Sequence, residues 1–314
     1  LVSHNTIHKT AASSTLNSGN RPIVEYNDLS DTGHLQSDGA MIHLMAEQQN
    51  NAKIRYNWVH DTIKYGIRFD GDGEGNNGYI HHNVGWNCVG GIMAKGGILD
   101  GGVSVGGHFV YNNTMFNSVD KNDIMVLNVQ AGNDINFGSV VMNNLAESIS
   151  GHRTNAEAFE PRITSSNNYT QADIEPLLVD SASFDFRPIN TASIVDAANT
   201  TYTNFEFNPT GSDAFTSDIG ALQHGGNIFE TGITWNTSGN SHSQFVTDNR
   251  FNFLYTTSVA WSPANDITTV VWIDASDSST YTETSENLTS VTDKSGTFTL
   301  TVNGNPQTNA VTQN

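Results

Sequence analysis

The stretch Ile80-His81-His82-Asn83-Val84-Gly85-Trp86-Asn87 contains the motif that decides the fold. Its frame is an aliphatic residue, two spacers and an Asn, and it occurs six times in the first 150 residues: Val2/Asn5, Val24/Asn27, Ile54/Asn57, Ile80/Asn83, Val110/Asn113 and Val141/Asn144. Successive Asn residues are 22, 30, 26, 30 and 31 positions apart. A fixed residue that returns at a variable interval of this size indicates a solenoid whose loops differ in length.

A second short strand follows each Asn unit. Apolar residues alternate with others over 39–43, 66–70, 91–95 and 123–127, and Gly, Asn and Asp bound these runs. This period of two predicts strands. Two or three strands per turn predict an all-β fold, a right-handed parallel β-helix. Equivalent Asn side chains then stack and can hydrogen-bond from turn to turn, so we expect all six to be structural.

Three later motifs extend this interpretation. They are Asp185-Phe186-Arg187-Pro188, Ile194-Val195-Asp196-Ala197 and Asp218-Ile219-Gly220-Ala221. Together they are similar to the closure of many secreted bacterial β-helix proteins of the pectin-lyase-like type, whose repeats residues 80–87 also resemble. The resemblance covers about residues 1–225 and implies helix turns over 1–150 and a closing part over 151–225. Because that superfamily mixes lyases, hydrolases, tailspikes and surface proteins, the resemblance implies a fold and not one activity.

The C-terminal residues resemble a different module. Residues 270–277 read Val-Val-Trp-Ile-Asp-Ala-Ser-Asp, and Asp293-Lys294-Ser295-Gly296 follows. These are similar to the opening of a laminin-G/concanavalin-like jelly roll. A two-sheet sandwich cannot close a core with the strands that about 50 residues provide. We therefore expect 266–314 to be the incomplete start of such a domain in a longer protein with further domains, and 226–265 to be a linker or small β element.

Composition limits the partners. The chain has 32 acidic and 13 basic residues, for a formal net charge of −19. This charge argues against a nucleic-acid partner, and it repels anionic polymers unless a basic patch or bound cations intervene. No apolar run has the ~18–20 residues that a membrane span requires. An acidic, Lys-poor chain rich in Asn, Thr, Ser and Gly favours a secreted or cell-surface protein.

Strand alternation also predicts a charged outer column. If alternate residues of 66–70 face the core, Arg68 and Asp70 face outward. Aligning the Gly-led strands places His43, Asp70 and Lys95 in one column, with Arg68 in the next. Stacked turns lie ~4.8 Å apart, so the side chains of Asp70 and Lys95 can meet.

Such a column can support acid–base chemistry on a uronic acid. Lys95 would be the base if its pKa were lowered, Arg68 would hold the sugar carboxylate, and His43 or His60 would be the acid. The arrangement resembles β-helix lyases of the chondroitinase B and alginate lyase type, which use a Lys, an Arg and a calcium-bound carboxylate. The alternative is an Asp70–Lys95 cross-strand pair that only holds register.

The run Asp70-Gly71-Asp72-Gly73-Glu74 suggests a calcium site next to this column. Acidic residues separated by Gly can bring several oxygens onto Ca²⁺, so Asp70, Asp72 and Glu74 are candidate ligands. The EF-hand pattern is not completed, because its bidentate Glu is missing. A metal-free acidic loop is the alternative.

Aromatic and imidazole side chains supply a further candidate. We expect Trp58 and Trp86 to be exposed and to serve with His60 as a substrate-binding platform for sugars, although Trp58 can equally cap a turn. His4 and His82 precede ladder Asn residues, at a position that holds Tyr26, Tyr56, Asn112 and Asn143 in other turns. This mixture favours ring stacking over zinc ligation.

Two classes of function stay open. The first is a secreted carbohydrate-directed β-helix, a lyase or hydrolase of an acidic polysaccharide or cell-surface glycan, with the jelly roll for binding or anchoring. The second is a non-catalytic extracellular surface, adhesive or matrix protein with a structural β-helix. The charged column favours the first class. The acidic net charge and the lack of a catalytic motif favour the second. Between the two, we predict a carbohydrate-directed role, without asserting turnover.

Overall fold

The computed structural model describes residues 1–11, 13–71, 75–97, 99–100, 103–104, 106–201, 209–229, 231–232, 281–284, 287–292 and 299–301. The chain forms two compact units, Leu1–Phe245 and Val246–Asn314. In its described part, the first unit contains six full turns of a parallel β-helix and a seventh turn of two strands. The prediction of an all-β fold built as a parallel β-helix is therefore confirmed.

Each full turn contributes one strand to each of three parallel sheets. Sheet A contains β1 (Val2–Ser3), β4 (Ile23–Glu25), β7 (Lys53–Arg55), β10 (Tyr79–His81), β15 (Phe109–Tyr111), β20 (Val140–Met142) and β23 (Thr164–Ser166). Sheet B contains β2 (Thr6–His8), β5 (Asp28–Thr32), β8 (Trp58–Thr62), β11 (Val84–Trp86), β16 (Thr114–Phe116), β21 (Leu145–Ala146) and β24 (Tyr169–Thr170). Sheet C contains β3 (Ser14–Leu16), β6 (Ala40–Met45), β9 (Tyr65–Asp70), β12 (Gly90–Ala94), β17 (Ile124–Val126) and β22 (Ile149–Ser150).

The remaining described strands pair antiparallel. In the first unit they are β13 (Leu99–Asp100), β14 (Val103–Ser104), β18 (Val129–Gln130), β19 (Asn133–Asp134), β25 (Leu178–Asp180) and β26 (Asp185–Pro188), and in the second β27 (Tyr281–Thr284), β28 (Asn287–Thr292) and β29 (Thr299–Thr301). Short 3₁₀ helices are Ala46–Gln49, Glu175–Leu177, Ser181–Ser183 and Gly211–Asp213. Residues 270–277 and 293–296, which suggested the jelly roll, lie outside the described residues.

The Asn ladder links successive turns, as Asn83 illustrates. Its Nδ2 donates to the carbonyl of His81 at 3.0 Å, to that of Ile54 at 2.9 Å and to Oδ1 of Asn113 at 3.0 Å. Its Oδ1 accepts from the backbone N–H and from Nδ2 of Asn57, at 3.1 and 3.0 Å. Asn83 is fully buried. One side chain thus satisfies backbone groups of its own turn and of the preceding turn, and it bonds to the ladder Asn of the following turn.

A seventh ladder residue, Asn168, was missed by the sequence frame. Its Oδ1 accepts from the backbone N–H of Asn144 at 3.0 Å and from Nδ2 of Asn144 at 2.9 Å. Ser165 stands three residues before Asn168, where the other turns have Val or Ile. The amide hydrogen bonds therefore continue into a turn whose inward position has become polar.

The residue before each ladder Asn has a left-handed backbone. The φ angles of these seven residues lie between 48° and 56°: His4, Tyr26, Tyr56, His82, Asn112, Asn143 and Asn167. A second left-handed set follows five positions later, at Lys9, Asp31, Asp61, Asn87 and Asn117. Asn, Asp and His tolerate this region better than most residues. The first bend precedes each strand of sheet B, and the second follows β2, β11 and β16 and lies within β5 and β8.

Rings in the first left-handed set stack along the solenoid. The ring centroids of Tyr26 and Tyr56 are 5.1 Å apart, and those of His4 with Tyr26 and of Tyr56 with His82 are each 5.0 Å apart. These distances fit offset aromatic stacking. The prediction that this column stacks is confirmed.

The core is a thin column of inward side chains. On sheet C, Ile42, Ile67 and Ile92 lie in register and are fully buried. On sheet B, Gly85 occupies the inward position between Val59 and Met115. A Cβ on Gly85 would lie 2.7 Å from Sδ of Met115, so the large neighbour fills the space that Gly leaves. Because the packing is this close, the size of the inward residue in one turn limits the size of the inward residue in the next turn.

The outer face of sheet B is covered by the chain that follows the last turn. The ring of Trp58 lies 5.6 Å from those of Phe184 and Phe186, and Trp86 lies 4.9 Å from Phe186. Ile219 belongs to the same buried cluster. The motifs that suggested a closure therefore pack on the side of the helix and bury its outward aromatic residues.

We predict that Asn83→Ala lowers the free energy of unfolding by about 2–3 kcal/mol, because backbone and amide donors of Asn57 lose a buried acceptor. Urea denaturation measures this change. The matched control is Asn168→Ala at the half-exposed end of the ladder, where water can replace the lost bonds, and there we expect a loss below about 1 kcal/mol. Equal losses in the two variants would contradict the ladder's role.

Candidate functional site

Four predicted site residues meet on the outer face of sheet C. We call them the sheet C cluster: His43, Arg68, Asp70 and Lys95. His43 on β6 pairs directly with Arg68 on β9. The predicted column was therefore wrong for His43, which lies two residues away from its expected register. The error arose because Gly39 begins its run two residues earlier than Gly66 does, relative to the isoleucines that stack in the core.

Asp70 is the centre of the cluster. One carboxylate oxygen, Oδ1, lies 2.5 Å from Nζ of Lys95. The other, Oδ2, contacts Nη2 of Arg68 and lies 3.3 Å from Nε2 of His43. Both oxygens of the carboxylate are thus occupied by donors of the same chain.

Further contacts tie the cluster to neighbouring residues that the sequence did not single out. Nη1 of Arg68 donates to Oδ1 of Asp38 at 2.9 Å, and Nδ1 of His43 lies 2.8 Å from Oγ of Ser14. Asp38 lies in a loop, whose spatial position strand alternation does not predict. The charges of the two cations, Arg68 and Lys95, balance those of the two carboxylates, Asp38 and Asp70.

The cluster is buried and its ionisation is perturbed. Relative exposure is 3% for Lys95, 8% for Asp70 and 9% for Arg68. Burial alone would raise the pKa of Asp70, but hydrogen bonds from His43 and Lys95 outweigh it and hold that pKa well below its usual range. Burial lowers the pKa of Lys95, and the bond to Asp70 opposes this only in part. The carboxylate is therefore ionised, and Lys95 and Arg68 are its counter-ions.

Of the three candidate calcium ligands, Asp70 is described, and its carboxylate oxygens face Lys95 and Arg68. Asp72 and Glu74, the other candidate ligands, lie outside the described residues. Within the part of the chain that the structure describes, no three His, Cys, Asp or Glu side chains are arranged to hold a metal ion.

The expected sugar platform is buried. Trp58 and Trp86 are 1% and 9% exposed, so the prediction of exposed aromatic rings was wrong. Strand alternation correctly directs both rings away from the core of the β-helix. It carries no information about Phe184 and Phe186, which come from a distant part of the sequence and cover them.

His60 is buried beside Trp86. The sequence had predicted that it would be open to a substrate. Its ring stacks on that of Trp86 with centroids 4.0 Å apart. Nε2 lies 3.0 Å from Oδ1 of Asp28, and Nδ1 lies 2.7 Å from Oδ2 of Asp61. Burial favours the neutral ring, but the hydrogen bonds to the two carboxylates outweigh it and raise the pKa of His60.

Two surface cavities lie away from the sheet C cluster. One, of about 340 Å³, is lined by residues that include Asp31, Asp61 and Val119. The other, of about 520 Å³, adjoins the last turns and includes Glu157 and Phe159. Neither cavity is lined by a residue of the sheet C cluster.

No protein-family model, curated protein or solved structure matches this chain. Among the described residues, no helix is long and apolar enough to cross a membrane. The interpretation of the site therefore depends on its own geometry.

We predict that Asp70→Asn destabilises the fold by about 3–5 kcal/mol at neutral pH, because Lys95 and Arg68 lose a buried counter-ion. A double variant Asp70→Asn/Lys95→Met should recover part of this loss. Because the folded pKa of Asp70 is depressed, its stabilisation is present above the unfolded pKa of about 3.9 and is lost as pH falls through the folded pKa. Chemical denaturation at several pH values should show the two proteins converging in acid. A constant difference down to acidic pH would contradict the ion-pair account.

We predict the opposite pH dependence for His60. Because its folded pKa is raised, its stabilisation is present below the unfolded pKa of about 6.5 and is lost as pH rises through the folded value. The stability difference between the wild type and His60→Gln should therefore shrink as pH rises. His34→Gln, at an exposed imidazole beside Asp31, is the control. A difference that stays unchanged from acidic to alkaline pH would argue against protonation of His60.

Proposed function

We propose that this chain is a non-catalytic extracellular protein whose β-helix serves as a rigid structural or adhesive element. One observation carries the proposal: the sheet C cluster is buried, and its charges are neutralised within the chain. A catalytic column on a solenoid face needs an oxygen or nitrogen free to meet substrate. Both carboxylate oxygens of Asp70 already contact side chains of the same chain.

The covered sheet faces support the same proposal. The outward aromatic residues of sheet B pack under Phe184 and Phe186. The acidic composition suits an extracellular location, and a laminin-G-like module after residue 266 would provide anchoring or glycan binding. In this proposal the β-helix positions such modules and resists unfolding.

A second candidate function is a polysaccharide lyase or hydrolase that acts on an acidic polysaccharide. The lowered pKa of Lys95 beside the Arg68 guanidinium favours it, because a general base needs a pKa near the working pH. Lys95 would then be the base, Arg68 would bind the sugar carboxylate and His43 would be the acid. Calcium at Asp70, Asp72 and Glu74 would complete that site. Asp70 would first have to release Lys95.

We predict that the longest soluble form of the protein produces no unsaturated uronic-acid products from polyuronates or sulfated glycosaminoglycans, with or without added calcium. Ultraviolet absorbance of the unsaturated product measures lysis directly, and a reducing-end assay covers hydrolysis. Turnover that disappears in Lys95→Ala and persists in Lys121→Ala, a lysine outside the cluster, would replace this proposal with the second candidate.

A further inference from the structure

The outer face of sheet A contains a second cluster of charged side chains. It is covered by residues 209–222, which we call the closing strap. Asp213 of the strap contacts Nζ of Lys53 through Oδ2. Its Oδ1 lies 2.5 Å from Nη1 of Arg55 and 3.3 Å from Nε2 of His81. Two cations and an imidazole from adjacent strands β7 and β10 thus converge on one carboxylate.

Tyrosine hydroxyl groups hold the backbone next to this carboxylate. The hydroxyl of Tyr56 donates to the carbonyl of Ser212, and that of Tyr111 donates to the carbonyl of Asp213, each at 2.7 Å. Arg55 also donates to Oγ of Ser212 at 2.7 Å. Ser212 and Asp213, which we call the tip of the strap, are therefore held by polar contacts. Ser212 itself is exposed to solvent.

The other end of the strap is held by apolar contacts that do not involve Ser212 or Asp213. The ring of Phe215 lies 5.1 Å from that of Tyr111, and Ile219, Ala221 and Leu222 belong to the buried cluster on sheet B. Buried ion pairs add little net stability, because desolvation offsets their attraction. The tip can therefore lift from Lys53 and Arg55 while the apolar end stays in place.

The groups beneath the tip suit an acidic sugar. Lys53 and Arg55 are two of only 13 basic residues in a chain of net charge −19; both contact Asp213, and Arg55 also pairs with Glu25 at 2.6 Å. Lys53 lies 5.9 Å from the ring of Tyr79, which can pack against a pyranose. The hydroxyls of Tyr56 and Tyr111 can bond to sugar hydroxyls as they now bond to carbonyls.

We propose that this face of sheet A is a binding site for a uronic-acid unit of an acidic polysaccharide, held closed in cis by Asp213. The carboxylate of the sugar takes the place of the Asp213 carboxylate on Lys53 and Arg55. The choice of a sugar as ligand rests on the proposed extracellular adhesive role, whereas the exchange of carboxylates rests on the contacts alone. An acidic peptide is the rival ligand, since the strap is itself a peptide.

Binding of a short oligogalacturonate, followed by calorimetry, tests the proposal. An intramolecular carboxylate competes at high effective concentration, so its removal exposes the full affinity of the site. We expect Asp213→Asn to bind at least about tenfold more tightly than the wild type and Asp213→Asn/Arg55→Gln to lose this gain. Asp134→Asn, which removes another ion-paired carboxylate, is the matched control and should leave affinity unchanged.

Hydrogen exchange and a comparison of ligands test the proposal further. Hydrogen exchange on the wild type needs no variant to fold: saturating oligogalacturonate should speed exchange at residues 211–214, and unchanged exchange there would overturn the proposal. A folded Asp213→Asn that binds no more tightly than the wild type would also overturn it. Tighter binding of an aspartate-rich peptide than of the sugar would overturn the sugar class, and a neutral oligosaccharide should not bind. Failure of adhesion by the intact protein would instead count against the proposed function.

Discussion

The hydrogen bonds of the Asn ladder are the interaction on which the structure depends. The amides of Asn27, Asn57, Asn83 and Asn113 each satisfy donors and acceptors in three successive turns, and they do so where the backbone bends through a left-handed residue. Such a bend leaves peptide groups without strand partners, and buried peptide groups without partners are destabilising. The side chain of Asn supplies both a donor and an acceptor at that point. Val, Ile and Gly85 can then fill the inside of the turn in fixed register.

Fixed register determines where outward charges lie, and burial determines what they can do. On sheet C, Asp70 receives donors from three residues and becomes the centre of a neutral network. On sheet A, Asp213 arrives from a distant segment and, together with Glu25, neutralises Lys53 and Arg55. In a chain of net charge −19, a large share of the few basic residues is thus used to hold carboxylates of the chain itself. The two clusters share this use of basic residues as internal counter-ions.

The sequence predicted the features that depend on local periodicity. The solenoid, its six Asn positions, the stacked Tyr26–Tyr56 column and the contact between Asp70 and Lys95 all follow from spacing along the chain. The sequence frame missed Asn168 because Ser165 stands where the frame requires an aliphatic residue. His43 was placed in the wrong column because a Gly at the start of a strand is a weaker marker of register than the buried isoleucines.

Features that depend on distant segments could not be predicted in this way. Trp58 and Trp86 point outward as alternation requires, but Phe184 and Phe186 cover them. Asp213 lies 158 residues after Arg55, and no periodic signal relates the two. In the sheet C cluster, Arg68 likewise contacts Asp38, which lies in a loop and not in a strand of the sheet. Sequence pattern thus assigns a side chain to a face, and tertiary packing decides whether solvent reaches that face.

The central claim is that the sheet C cluster is a closed internal network. Competitive acetylation of the folded protein, analysed by mass spectrometry for each lysine, tests it most directly. If the claim is right, Lys95 reacts far more slowly than exposed Lys9, because Lys95 is buried and paired with Asp70. An open catalytic base with a lowered pKa has more neutral amine at neutral pH. Labelling of Lys95 faster than that of Lys9 would therefore contradict the account.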